Sequence, residues 1–304
     1  MVYHGFPTHD GGVLGASNPA ESVRRTFRRI LSGEPHGRPS WIRALEDPGD
    51  AGWFGPGSAI WSVHGSMSTL VGGIRALLLQ TAHPLALAGV EQHSDYRSDA
   101  LGRLQRTNRF VTTVTFGSSA QALAAVERVQ RAHAPVVGSA PDGRSYAASD
   151  PHLLAWVHTA LADSFLSAAQ ALGPKGVDAD AYVADMAVVG KALDVEDPPA
   201  TAAELRGRME SFRPELAGSA TARDVVRFLE NPPLPLVARP AYQVLQRAAA
   251  DLLPNWAHPV LGTPVRPAPV RLVDVAAVDA LLRSLALVLG ARGPGERAAR
   301  SRLG

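Results

Sequence analysis

The chain has 304 residues, 46% of them hydrophobic: enough to bury one large core or two small ones, and too apolar for a disordered chain. It contains no Cys, which excludes disulfides, thiolate zinc sites, iron–sulfur clusters and cysteine nucleophiles, and fits a reducing compartment. Thirty Lys+Arg against 28 Asp+Glu leave a net charge of only +2, with no basic block, so nucleic acid is not an expected partner.

The opening MVYHGFPTHDGG has no basic stretch followed by an apolar one, so a cytoplasmic location is expected. Residues 1–18, rich in Gly, His and Pro, read as a flexible arm. Residues 19–33 form an amphipathic pattern, with Asn18 as N-cap and Gly33 past the end. Residues 34–57 are punctuated by Pro and Gly. The apolar run from Met67 to Val90 contains Arg75, Gln80, His83 and Pro84. A lipid-spanning helix would bear a heavy cost for Arg75, so the run predicts a buried core helix over 66–89, kinked at Pro84, and no membrane span.

Ser98 or Asp99 can cap a helix over 99–115, and Gly117-Ser118 separates it from another over 119–134. Residues 135–151 read as a compact turn or hairpin. Asp150-Pro151 is a strong start for a helix over 151–172, stopped by Gly173-Pro174. Helical periodicity continues over 178–193, 202–217, 221–230, 237–253 and 272–289, with Thr201 and Glu204 forming a capping box. Residues 254–270 are Pro-rich and irregular, and 291–304 read as a frayed tail. No internal repeat or run of strands is visible. The expectation is all-α: about ten helices in one large bundle over 19–290.

Two histidines continue apolar helix faces. His133 follows Ala122, Val126 and Val129, and His158 lies with Leu154, Leu161, Phe165 and Leu172. Each is either a core imidazole bonded to a backbone carbonyl or a metal or haem ligand. Arg103, Arg106 and Thr107 share one helix surface. Such a donor-rich patch suits a carboxylate, a propionate or a developing negative oxygen, or else it is a solvated face paired with Asp95 or Asp99. His83, Glu91 and His93 could be combined as a non-haem metal set, though their spacing matches no standard helical ligand pair.

The segments GIRALLLQTAHPLALAGVEQHSDYRSDALGRLQRTNRFVTTVTFG, VERVQRAHAPVVG and DGRSYAASDPHLLAWVHTALADSFL resemble the bacterial haem-protein family grouped with latex-clearing protein and the fungal MpaB-type oxygenases. The resemblance spans roughly 55–265. It implies an all-helical fold holding one haem b, with His133 as the axial iron ligand. It also implies that Arg103, Arg106 and Thr107 lie on the distal side; His158, sharing its face with Leu154, Leu161 and Phe165, is expected to be core or buried near the cofactor. The rubber-cleaving members carry lysine where this chain has Arg106, and a guanidinium is a poor iron ligand, so polyisoprene cleavage does not carry over.

The sequence reading is therefore a haem-b-dependent oxygenase or peroxygenase-like enzyme using dioxygen or peroxide on an apolar or small aromatic substrate. Arg103, Arg106 and Thr107 are its catalytic candidates, and Glu91 is a weaker candidate for a general base. The alternatives are a haem sensor or carrier without turnover, a non-haem metal enzyme using His83, Glu91 and His93, and a helical scaffold without cofactor. The Pro-punctuated segments at 197–199, 231–235 and 254–269 read as lids or walls. Leu193, Phe212 and Trp256 line the way in or pack in the core. The substrate pocket is expected to be mainly apolar, with Arg103 and Arg106 among its few polar anchors.

Overall fold

The computed structural model describes residues 19–36 and 38–304. The arm assigned to residues 1–18, with Asn18 as a cap, lies outside the described residues. The described chain is all-α: fifteen α-helices and one two-stranded hairpin. In chain order the helices are α1 (Pro19–Ser32), α2 (Ser40–Arg43), α3 (Ala59–His64), α4 (Thr69–Gln80), α5 (Pro84–His93), α6 (Ala100–Phe116) and α7 (Ser119–His133). After the hairpin come α8 (Pro151–Leu172), α9 (Ala179–Ala192), α10 (Ala202–Phe212) and α11 (Ala220–Glu230). The chain ends with α12 (Arg239–Asp251), α13 (Ala257–Leu261), α14 (Ala268–Leu289) and α15 (Pro294–Leu303).

The helix starts follow local chemistry. The side chains of Asp99, Ser118, Asp150, Asp178, Thr201 and Ser219 each accept a backbone N–H in the first turn of the following helix. Ser118 and Gln121 add a reciprocal capping box. The 135–151 segment is a hairpin, with β1 (Val137–Ser139) antiparallel to β2 (Ser145–Ala147) and Gly138 opposite Tyr146.

Helices α4 and α8 are the central pair. Helix α12 packs on α4, α14 on α12, and α10 on α8. One core cluster joins Leu78, Leu79, Trp156, Phe212 and Leu261. A second joins Trp61, Phe116, Val126, Phe165 and Tyr182.

The expected 66–89 helix is instead two helices, α4 and α5, bent by 103°. Pro84 has no N–H to continue the ladder, and His83 takes over as N-cap of α5, its Nδ1 accepting from Leu85 and Ala86 at 3.3 and 3.4 Å. No single helix among the described residues is long and apolar enough to cross a membrane; this bent pair passes the same test only as a pair. Arg75 on α4 is 3% exposed and fully engaged. It meets Asp163 Oδ2 at 2.7 Å and donates to Ser164 Oγ at 2.7 Å and the Leu252 carbonyl at 2.9 Å.

Other boundaries also move. The 202–217 helix stops at Phe212, where Pro214 forces a 3₁₀ turn, Arg213–Glu215. The irregular 254–270 connection contains α13 and the start of α14. Residues 34–64 hold α2 and α3, which the Pro/Gly punctuation concealed.

The frayed tail is corrected to an ordered helix, α15. Gly295 and Ala299 let it approach α6 so closely that a Cβ at Gly295 would collide with Thr112. Arg302 then donates to the carbonyls of Leu45 at 2.7 Å, Phe116 at 2.9 Å and Asp50 at 3.2 Å. Small residues and one arginine are polar or weakly apolar in sequence, so the packing was not legible there.

Candidate functional site

Helices α6 and α7 form a helical hairpin around Gly117-Ser118. Arg103 lies about four turns before this corner and His133 about four turns after it, so both sit at its open end. His133 is the last residue of α7 and is half-buried. Desolvation lowers its pKa, favouring the neutral ring, and its imidazole makes no hydrogen bond among the described residues. The burial stripe predicted for α7 is present but graded: Ala122 and Val126 are buried, while Val129 and His133 are half-buried.

The end of α7 is tied to the end of α9. Gln130 donates to Asp194 Oδ2 at 2.7 Å and to the Ala192 carbonyl at 3.4 Å. Asp194 sits at φ 64°, a left-handed conformation that this side-chain bond helps to hold. His158 of α8 faces the same helix. A Cβ at Gly190 would lie 2.8 Å from its Cε1 and 3.1 Å from its Nε2, so the absent side chain is what lets the ring seat there. His158 is 6% exposed, and burial pushes its pKa down to about 4. Phe110, Leu161 and Leu193, which pack against the second core cluster, remain only partly buried.

The arginine patch divides. Arg103 is half-buried and donates to Ser94 Oγ. Arg106 is exposed and pairs with Asp99 at 3.0 Å, the solvated alternative. Thr107 is also exposed and spends its hydroxyl on the Arg103 carbonyl at 3.1 Å.

The set His83, Glu91 and His93 does not assemble. Glu91 accepts from Tyr96 and meets Arg97 at 3.4 Å, while His93 bonds the Tyr146 hydroxyl at 3.1 Å. His83 points elsewhere, toward Glu215 and His152. These three belong to segments more than sixty residues apart from one another, so no local spacing announces them. His64 is another imidazole that periodicity did not single out. Thr115 donates its hydroxyl to the Val111 carbonyl at 2.7 Å and therefore accepts from His64 Nδ1 at 2.8 Å. His64 Nε2 then accepts from Tyr182 at 3.2 Å. Burial pushes the His64 pKa to about 3.

Two of the Pro-punctuated segments line clefts. One, of about 330 Å³, lies between Asn231–Leu234 and Arg97, Arg239 and Tyr242. The other, of about 410 Å³, lies between Asp197–Pro199 and Lys191, Glu204 and Arg208. Both carry charged side chains, unlike the apolar pocket expected, and neither is lined by Arg103 or Arg106. Phe212 is core, edge-to-face with Trp156 at 5.3 Å, and Trp256 lies partly buried under Arg213.

The model of the ER-bound oxygenase mpaB/B′ and rubber oxygenase catalytic domain matches residues 61–288. The chain belongs to this family. The match runs from α3 to the end of α14 and takes in every candidate residue above, so this is an oxygenase-type catalytic domain. Helices α1, α2 and α15 are additions around it. No curated protein and no solved structure matches the chain.

Proposed function

We propose that the chain is a haem-b-dependent oxygenase or peroxygenase-like oxidoreductase in which His133 is the axial ligand. The observation that carries this is the state of His133 itself. It is a half-buried imidazole, biased to its neutral form and with no hydrogen bond among the described residues, at the open end of the α6–α7 hairpin. No protein group among the described residues is bonded to its ring, so a lone pair is available, as an axial ligand needs. His158 also makes no hydrogen bond among the described residues, and it is the resemblance of the α7 segment to the family's ligand-bearing motif that favours His133. The partly buried Phe110, Leu161 and Leu193 are the kind of apolar wall a porphyrin face would cover. When bound, haem b supplies activation of dioxygen or peroxide, with the axial imidazole tuning it.

The remaining roles follow from position. Arg103 stays charged and is held by Ser94, so it can fix an anionic group, either a propionate or a substrate carboxylate. Arg106 and Thr107 stand at the solvent rim, where Arg106 can exchange Asp99 for such an anion. His158, neutral and seated on Gly190, shapes the wall. Phe110, Leu161 and Leu193 exclude water and favour an apolar or small aromatic substrate.

The test is the visible spectrum of purified protein. Wild type should carry about one haem per chain with a Soret band. His133→Ala should lose it, while His158→Ala should keep it. Retention of haem by His133→Ala with loss in His158→Ala would overturn the ligand assignment.

A further inference from the structure

Three ligand-type side chains meet around the N-terminal turn of α8. His83 caps α5, His152 is the second residue of α8, and Glu215 ends the 3₁₀ turn after α10. Their donor atoms all lie within 4.8 Å of one another. Glu215 Oε2 is 2.8 Å from His152 Nε2 and 3.5 Å from His83 Nε2. The backbone fixes this meeting: the Ala217 N–H donates to the Ala82 carbonyl at 3.0 Å, and Asp150 caps the turn carrying His152.

His83 is the telling member. It is 0% exposed, and its Nε2 reaches only the Glu215 carboxylate, at 3.5 Å, without a well-formed hydrogen bond. The ring is held among Trp156, Phe212 and His152, with centroids at 6.0, 6.4 and 6.5 Å. A buried polar atom without a well-formed hydrogen bond calls for a ligand. Two imidazoles and one carboxylate, with one edge open to water, form the donor set of a first-row divalent cation. We propose that His83 Nε2, His152 Nε2 and the Glu215 carboxylate bind one such ion, of the Zn²⁺ or Fe²⁺ class, at a site separate from His133.

Two adjustments are required. Ligands around such an ion sit about 2.0–2.2 Å from it and so about 3.4 Å from one another. The His152–Glu215 pair at 2.8 Å must therefore open slightly to admit the ion, while the Glu215–His83 separation of 3.5 Å already fits. The exposed His152 and half-buried Glu215 can supply that movement. The second adjustment concerns a proton. In the metal-free protein His83 Nδ1 accepts two peptide N–H groups, so the neutral ring carries its proton on Nε2. Ligation through Nε2 moves that proton to Nδ1 and ends the cap. These bonds are long, and losing a cap costs about 10-fold in an equilibrium, against many powers of ten for a zinc site. The charged neighbour, Arg144, is already neutralised by Asp142 at 2.7 Å.

Calorimetric titration of the full chain with Zn²⁺, repeated anaerobically with Fe²⁺, tests the site. One ion per chain should bind in wild type. His152→Ala and Glu215→Gln, both at solvent-accessible positions, should each weaken binding by more than ~100-fold, since even losing a partner of a metal ligand costs about 10–100-fold. His133→Ala should bind Zn²⁺ as wild type does, which separates this site from the haem reading. Hydrogen exchange at the Leu85 and Ala86 amides should speed up on Zn²⁺ addition. Absence of binding, equal binding in the two ligand variants, loss of binding in His133→Ala, or unchanged exchange at those amides would each overturn the proposal.

Discussion

Arg75→Met removes the one charge buried within the long apolar run while keeping a side chain of similar length. In wild type its guanidinium satisfies Asp163, Ser164 Oγ and the Leu252 carbonyl. The substitution strands all three. Breaking a buried ion pair from one side costs about 3–5 kcal/mol. Asp163 is 21% exposed and recovers some hydration, which places the loss at the low end, about 3 kcal/mol. For a chain of this size that corresponds to a Tm lowered by about 5 °C. Circular dichroism during thermal and urea unfolding measures it. Arg75→Met with Asp163→Leu removes both charges together and should regain most of the loss, because the cost lies in the stranded carboxylate rather than in the missing attraction. A loss below about 1 kcal/mol in the single variant, or a double variant no better than the single, would refute this reasoning.

Acid should destabilise the protein through its buried imidazoles. Folded His64 and His158 have pKa values near 3 and 4 against an ordinary 6.5, so the unfolded chain binds more protons between about pH 4 and 6.5. Stability is complete above that window and falls as the pH drops through it; urea midpoints at pH 7 and pH 4.5 should differ, and His158→Gln should flatten the difference. Arg302→Ala should detach α15 by freeing the carbonyls of Leu45, Phe116 and Asp50, at a cost of about 1–3 kcal/mol; limited proteolysis would then cut within 294–303, and an unchanged cleavage pattern would count against the anchoring role.

Much of the helix inventory is local and was legible. Asp150-Pro151, Ser118 with Gln121, and Thr201 act within one turn, so their side chains announce helix starts whatever the rest of the chain does. The periodicities of α7 and α8 also declared which faces carry His133 and His158, because 3.6 residues per turn is a property of the backbone. The chemistry of Arg75 pointed to a helix buried in protein before any partner was known, and Arg75 is 3% exposed.

What the sequence by itself determined is therefore the all-α class, most helix starts, and membership in an oxygenase family through long contiguous motifs. Tertiary structure alone decided which polar groups meet. Arg103 and Arg106 share a helix surface, yet packing half-buries one against Ser94 and leaves the other to Asp99 in water. His83 was a plausible partner for Glu91 and His93 by proximity along the chain, but the 103° bend at Pro84 aims it at His152 and Glu215 instead. The order of α15 rests on carbonyls contributed by residues up to 257 positions away. Helix capping and periodicity act over one or two turns, whereas burial and ion pairing depend on distances in space, and only the folded chain sets those.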